Sequence, residues 1–308
     1  MTAVRTAAVV VTWEGGAVTD RCVRSLLAQD APLAEIVVVD NASGPTERAR
    51  LRVVWDGHPG VRLLLLDDNR QFAGGLNAGA AAAFAAGAER VLLLNNDTVL
   101  ATDGVRLLGD ALDRRPGAGI AGPCVLDARD PARVLSLGER HGVALLCIPR
   151  TLLRHRPRST APFAARGVMG CALMVTRACF DAVGGYASEI EVYYEEVDFC
   201  LTARARGFAI VVVPEAIVYH AGLRGFASGL TPWAAFLKAR NPWLVLRRHG
   251  HPTSWLAFLP TYAALIVASA ALYALRRDTP VVRALARGVR AGAHAALGHA
   301  VVPVGAPR

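Results

Sequence analysis

The residues of this chain best suited to chemistry stand where apolar runs stop. Val91 to Leu94 leads straight into Asn95, Asn96 and Asp97, which gives one hard carboxylate oxygen to the turn after a buried strand. In open α/β sheets ligands gather at that carboxyl edge, and such an oxygen suits a divalent cation, although a carboxylate there also caps turns and helices. A second acidic group lies in EVYYEEVDFCLTARAR, Glu191 to Arg206, where Glu195, Glu196 and Asp198 open a helix directly behind Tyr193 and Tyr194. Apolar surroundings raise a carboxylate's proton affinity, as a general base requires, whereas a helix N-terminus lowers it. The same acids equally suit the first turn of a capped surface helix. His220 ends the run Ile217-Val218-Tyr219-His220 just before Gly222, Gly225 and Gly229. It reads either as a ligand beside a glycine-punctuated gate or as a structural histidine.

These groups need a scaffold, and apolar periodicity supplies one. Strands are expected over Ala7 to Thr12, Glu35 to Val39, Val61 to Leu66 and Val91 to Leu94. Helices are expected after Trp13-Glu14-Gly15-Gly16, with Val18, Cys22 and Leu26 as an apolar stripe, and over Gly74 to Ala86. This β-α-β-α rhythm predicts a right-handed, doubly wound and mainly parallel sheet. Three strands close on polar residues, at Asp40, Asp67 and Asn95, which suggests a shared pocket. Trp13 suits the face of a flat base or plain packing, and Asp40 suits an acceptor for a pyrimidine N–H or a turn. In NRQFAGGLNAG, Asn69 to Gly79, the pair Gly74 and Gly75 lets backbone approach a ligand at a helix start, where free N–H groups favour anions. That stretch matches neither a Walker loop nor a dinucleotide fingerprint. Further on, a helix is expected over Thr102 to Arg114, strands over Gly119 to Val125 and Val168 to Thr176, a helix over Arg177 to Val183, and an edge strand over Ile210 to Val213. Between Asp127 and Arg166 the periodicity fades, and Arg129, Arg133, Arg140, Arg150, Arg154, Arg156, Arg158 and Arg166 mark a basic substrate-facing excursion or a solvated loop.

Composition bounds the function. The 308 residues are 53% hydrophobic with a formal net charge of +9, and mean hydropathy is +0.34. Such a chain suits anionic partners and membrane contact. Six scattered cysteines show no CxxC pair and no metal-ligand spacing, the pattern of buried thiols in a reducing compartment. Ala7 to Val11 is too short for a signal peptide, so the chemistry is expected in the cytosol. Trp255 to Leu275 holds no charged residue and is bracketed by Arg247, Arg248, Arg276 and Arg277. It just reaches across a bilayer, although Pro260, Thr261, Tyr262 and Ser269 weaken it. Val281 to Leu297 sets Arg283, Arg287, Arg290 and His294 along one helical face, suited to anionic lipid or to plain solvation. The expectation is one domain over 1–250 and membrane-associating helices over 251–308, attached peripherally or monotopically at the cytoplasmic face of the cell membrane.

In order and spacing, VVVTWEGG, VVVDNASG, NRQFAGGLNAG, LLLNNDT, GCALMVTRACFDAVGGY, YYEEVDFCLTARARG, VYHAG and KARNPWLVLRR resemble the family-2 inverting glycosyltransferases, especially bacterial rhamnosyltransferase-like members. The resemblance runs from Ala7 to Arg248. It implies a GT-A fold that binds a nucleotide-diphosphate sugar with a divalent cation, Mg2+ or Mn2+. It implies that Thr12, Trp13, Asp40, Asn69, Gly74, Asn77, Asn96 and Arg240 frame the donor, with Asp97 and His220 at the metal and diphosphate. Glu196 stands at the position of the catalytic base, with Glu195 beside it and Asp198 in support. The implied reaction transfers a sugar with inversion to a cell-envelope glycan or lipid-linked acceptor, at family level rhamnose from a dTDP donor, with no nucleic acid partner. The chain departs from the family pattern at Glu14, commonly Asn, at Gln71, commonly Gly, and in having Glu rather than Asp as base, so the choice between Glu195 and Glu196 stays open. A non-catalytic nucleotide- or glycan-binding protein on the same fold is the alternative, and the presence of Asp97 and the acidic pair speaks against it. A nucleotidyltransferase normally needs a basic phosphate loop near the N-terminus, where Glu14-Gly15-Gly16 carries no such charge.

Overall fold

The computed structural model describes residues 4–140, 142, 160–221 and 230–301. Cys147, Arg150, Arg154, Arg156 and Arg158 of the basic excursion, and Gly222, Gly225 and Gly229 of the expected gate, lie outside the described residues.

The first half winds as its periodicity dictates, with one further helix, Pro45–Trp55, that the periodicity does not announce. β1 (Thr6–Thr12), α1 (Gly16–Leu27), β2 (Glu35–Asp40), α2 (Pro45–Trp55), β3 (Val61–Leu65), α3 (Gln71–Ala85) and β4 (Arg90–Asn95) follow one another, and β1 to β4 pair in parallel. Alternate residues serve opposite faces. Val9, Val37, Val91 and Leu93 pack under Leu76, Ala80 and Ala83 of α3, while Val10, Ile36, Val38 and Leu92 meet Cys22, Val23 and Leu26 of α1 and Leu51 of α2. Truncating a side chain as enclosed as Leu93 costs about 2–5 kcal/mol. Register aligns the polar strand ends: Val11 faces Asn95, and Asp40 faces both Thr12 and Leu65.

The second half departs from a purely parallel winding. β5 (Thr98–Leu100), α4 (Gly104–Asp113), β6 (Ala118–Asp127), β7 (Val134–Ser136), β8 (Phe163–Ala165), β9 (Ala172–Thr176), α5 (Arg177–Val183), α6 (Glu195–Ala205) and β10 (Ala209–His220) complete a ten-stranded sheet in the order β3-β2-β1-β4-β9-β6-β10-β5, with β7 on β6 and β8 on β10. β9 enters antiparallel between β4 and β6. It follows the long excursion rather than a helical crossover, so nothing forces it parallel. It is also shorter than the Val168 to Thr176 expectation. The expected edge strand Ile210 to Val213 is instead the first part of β10, which runs between β6 on one side and β8 and β5 on the other. Pro214 breaks the ladder without ending the strand, because the register shifts between Val213 and Ile217 as a bulge.

Three helices follow: α7 (Pro232–His249), α8 (Pro252–Leu275) and α9 (Thr279–Ala296). α7 starts with Thr231 accepting a hydrogen bond from the Ala234 N–H at 3.2 Å and carries Pro242 internally. Val281, Ala284 and Leu285 of α9 and Tyr273 of α8 close over Ala235 and Ala239 of α7, while Phe258 and Tyr262 of α8 pack on Leu244 and on Val197 of α6. Gly292 lets α9 lie against Trp243, since a Cβ there would stand 3.0 Å from the Arg240 carbonyl. The outer face of α8 stays apolar and open, with Leu256 at 77% and Leu275 at 84% exposure. By length and composition it is the one helix among the described residues able to cross a membrane. Arg283, Arg287 and Arg290 are exposed on α9.

Candidate active site

Asp97 sits in the tight turn from β4 into β5, and this turn is sewn down on both sides. The Asn95 N–H donates to the Cys171 carbonyl at 2.9 Å, the Thr98 hydroxyl to the Asn95 carbonyl at 2.7 Å, and the Ala221 N–H to the Asp97 carbonyl at 3.0 Å. Register then brings in the histidine: His220 pairs with Thr98, so its Nε2 lies 3.2 Å from Asp97 Oδ1. Two buried polar atoms beside this contact, Asn95 Oδ1 and His220 Nδ1, have no hydrogen-bond partner among the described residues. A carboxylate, an imidazole and an orphan amide oxygen form a donor set that suits Mg2+ or Mn2+. Among the described residues no group of three His, Cys, Asp or Glu side chains is assembled.

Behind the turn, Thr12 Oγ1 and Thr19 Oγ1 stand 2.8 Å apart, and the Asn96 amide donates to both, at 3.3 and 3.1 Å. Gly15 is required there, because any Cβ would collide with Thr12, Thr19 and Asn96. Asn96 therefore braces the turn from behind.

The acidic pair reaches the same space from α6. Residues 191–194 are held in an unusual shape, with positive φ at Glu191 (65°), Tyr193 (63°) and Tyr194 (73°). Such backbone costs about 1–3 kcal/mol per residue and persists only when its surroundings fix it. α7 does so. The Asn241 amide donates to the carbonyls of Ile190, Val192 and Tyr193, each at 2.8 Å, and Arg240 donates to the Glu189 carbonyl at 3.1 Å and to Glu191 at 3.3 Å. Gly170 admits the helix start, since a Cβ would come within 2.9 Å of Glu196 Cβ. Asp198 is tied elsewhere: Arg248 Nε and His249 Nε2 both meet its Oδ1 at 2.7 Å. It anchors α6 to α7.

Asp97, His220, Glu195 and Glu196 line one cavity of about 590 Å³. Its opposite character comes from Leu230, Ala239, Leu265, Ile266 and Leu285. Burial, then the Glu195 charge, raises the Tyr193 hydroxyl above its ordinary range. Burial, reinforced by Asp97, likewise pushes up the Cys171 thiol.

The other expected residues do not line this cavity. Trp13 is 41% exposed. Asp40 accepts from Arg48 Nε at 2.9 Å and from the Ser43 N–H at 3.1 Å. Asn69 Oδ1 accepts from the Asn41 amide and the Gln71 N–H. Asn77 clamps both backbone groups of Tyr186 at 2.8 Å. α3 starts at Gln71, so Gly74 lies within its first turn, over Arg70, rather than ahead of the helix. Arg240 is buried in the α7 bracket. Asn95, expected only as one of the polar strand ends around a shared pocket, does line the cavity, whereas sequence reasoning missed Gly170 and Lys238 as lining residues, along with Leu265, Ile266 and Ser269 of α8. One signal was available: Lys238 is the only lysine in the chain.

Comparison with known proteins bears on the family and the fold. The family described as "Glycosyltransferase like family 2" matches residues 4–248. The dTDP-rhamnosyl transferase RfbF of Shigella flexneri is 25% identical over 227 residues, 70% of this chain and 72% of that protein. The N-acetylglucosaminyl-diphospho-decaprenol L-rhamnosyltransferase of Mycobacterium tuberculosis is 28% identical over 233 residues, 69% of this chain and 74% of that one. Two solved structures share the fold. The mannosyltransferase PcManGT from Pyrobaculum calidifontis in complex with GDP-Man and Mn2+ has a TM-score of 0.58 at 20% identity, over 95% of this chain and 87% of that one. GalNAc-T7 with UDP, GalNAc and Mn2+ has a TM-score of 0.62 at 16% identity, over 79% of this chain, which spans only 47% of that longer protein.

Proposed function

The chain belongs to the family-2 glycosyltransferases and has their GT-A fold, and from that premise we propose that it moves rhamnose from a dTDP donor to a lipid-linked glycan with inversion. The observation that carries the reading is the meeting of Asp97 and His220 with Glu195 and Glu196 in one cavity. Asp97 and His220, with the unpartnered Asn95 Oδ1 of the same turn, would hold a divalent cation, which when bound would supply neutralising charge to the diphosphate leaving group. Glu196 takes the proton of the acceptor hydroxyl, and Glu195 beside it orients that hydroxyl. Asp198 positions α6 through Arg248 and His249. Thr12 and Asn96 brace the metal turn, and Trp13, Asp40, Asn69, Gly74 and Asn77 shape the nucleotide end, with Arg240 fixing the loop before the acids. The rhamnosyl names of two relatives support the sugar, and the decaprenol diphosphate in one name supports the acceptor.

The apolar outer face of α8 and the basic face of α9 support attachment at the membrane, read as peripheral or monotopic at its cytoplasmic face, with a single span by α8 as the alternative. A hydrolysis screen of dTDP-, UDP- and GDP-sugars with Mn2+ or Mg2+ tests the donor. Slow, metal-dependent release of sugar from dTDP-rhamnose is the expected result. Turnover confined to another nucleotide sugar discards the proposed donor, and inactivity toward all of them discards the reading.

A further inference from the structure

Lys238 is the single lysine of a chain whose other basic side chains, within a total of 34 Lys and Arg, are all arginine. It is also the only lysine or arginine among the described residues lining the cavity. Its Nζ lies 4.7 Å from the centroid of the Tyr193 ring, and the Asn241 bracket fixes the backbone that carries that ring. A compact ammonium with three donors suits the end of a phosphate group, whereas the planar fork of arginine favours paired oxygens.

The surroundings specify what such a phosphate is attached to. Lys238 lies on α7 next to Ala239, and this side of the cavity is walled by Leu265 and Ile266 of α8 and Leu285 of α9. α8 therefore faces two ways. One side lines the cavity, and the other is exposed and apolar, at Leu256, Val267 and Leu275. Asp97, Glu195 and Glu196 make the remaining wall acidic, so an anion entering there needs a cation between itself and the carboxylates.

We infer that Lys238 binds the phosphate of a long-chain lipid phosphate whose apolar chain lies along α8, which makes it a substrate-binding residue of the acceptor half. This deepens the glycosyl-transfer reading and rests on it.

The lone lysine makes the test clean. Reductive methylation of the full chain with carbon-13 formaldehyde labels Lys238 Nζ and the α-amino group and keeps both charges. Farnesyl phosphate is expected to shift the dimethyl-lysine NMR signal saturably while the α-amine signal stays still. Farnesol, the same chain without phosphate, and dTDP with Mg2+ are expected to leave it in place. Lys238→Met should weaken farnesyl phosphate binding about 10-fold or more, the scale of one charge-assisted contact, and Lys238→Arg should recover part of that. A signal that answers to dTDP with Mg2+ alone gives the cation to the donor and overturns the inference. An equal response to farnesol, or no response at all, overturns it too. Lipid phosphate binding through Lys238 in a chain that hydrolyses no nucleotide sugar would instead leave this site standing and remove the transfer reading.

Discussion

His220 Nε2 and Asp97 Oδ1 stand 3.2 Å apart because two strands deliver them there, with His220 in register with Thr98, the residue after Asp97. Neither side chain needs its own loop to find the other. The pair is therefore as rigid as the sheet edge, which is how a preorganised ligand set should be built.

Asp97→Ala is expected to abolish Mn2+-dependent binding of dTDP while leaving the fold intact, because the turn is held by its backbone and by Thr98. Calorimetry with and without Mn2+ measures it, alongside a thermal unfolding curve. Unchanged affinity in the variant would remove Asp97 from the metal site.

Glu196→Gln keeps size and polarity but cannot take a proton, so transfer should fall on the order of 100-fold or more with donor affinity little changed. Glu195→Gln should do less. Rates with the true acceptor decide the matter, and a dead Glu195→Gln beside an active Glu196→Gln makes Glu195 the base.

Asn241→Leu removes the amide that donates to the carbonyls of Ile190, Val192 and Tyr193, of which Ile190 keeps a bond from the Val192 N–H. Leaving the Val192 and Tyr193 carbonyls short of a donor costs about 1–3 kcal/mol each before relaxation. Urea unfolding should show a loss of at least about 2 kcal/mol. Transfer should drop as well, since Glu195 and Glu196 follow directly. A variant with wild-type stability and rate would show that the bracket is dispensable.

Burial raises the thiols of Cys22, Cys179 and Cys200 from an ordinary 9.0 to about 12. They stay neutral in the folded chain where the unfolded chain would ionise. Their stabilising contribution is thus complete below pH 9.0 and is lost as pH climbs through 9 toward 12. Unfolding midpoints from about pH 8 to about pH 10.5 should decline, and these thiols should resist alkylation until the chain unfolds. Rapid alkylation of the native chain at any of the three would contradict the burial.

For the membrane, full-length chain should co-sediment with anionic vesicles at low salt and partly release at high salt, because surface charge attraction is screened. Replacing Arg283, Arg287 and Arg290 with Gln should weaken low-salt binding, and Leu256→Ser with Val267→Ser should reduce what survives salt. Retention insensitive to salt and to the arginines would mean that α8 spans the bilayer. Absence of binding would leave its apolar face for another partner.

Much of the sheet was legible because β1, β2 and β4 are buried on both faces and read as apolar runs, while β3, the half-buried edge strand, still ends in three leucines. Asp97, Glu195, Glu196 and His220 were legible because each follows such a run or opens a helix. α7 was not, because Pro242 reads as a breaker and only tertiary packing keeps the helix through it. α2 was missed because PTERARLRVVW has little apolar stripe. The joining of Ile210–Val213 to Ile217–His220 across Pro214 depends on a bulge between partner strands, which no local pattern shows. Arg240 offered a charge to the donor in sequence, but packing turned that charge toward Glu191, a partner distant along the chain.

The Arg240–Asn241 bracket also dictates where this protein can be recombined with its relatives. A graft that exchanges only α8 and α9 keeps α7 with the loop it holds, but sets new helices against Ala235, Ala239 and Leu244. A graft that begins at α7 splits Arg240, Asn241, Arg247, Arg248 and His249 from the backbone and acids of residues 189–198, and leaves nine ionic and amide anchors facing foreign sequence. Only a junction ahead of Glu189 moves the acids, their loop and the helix that shapes them as one heritable block.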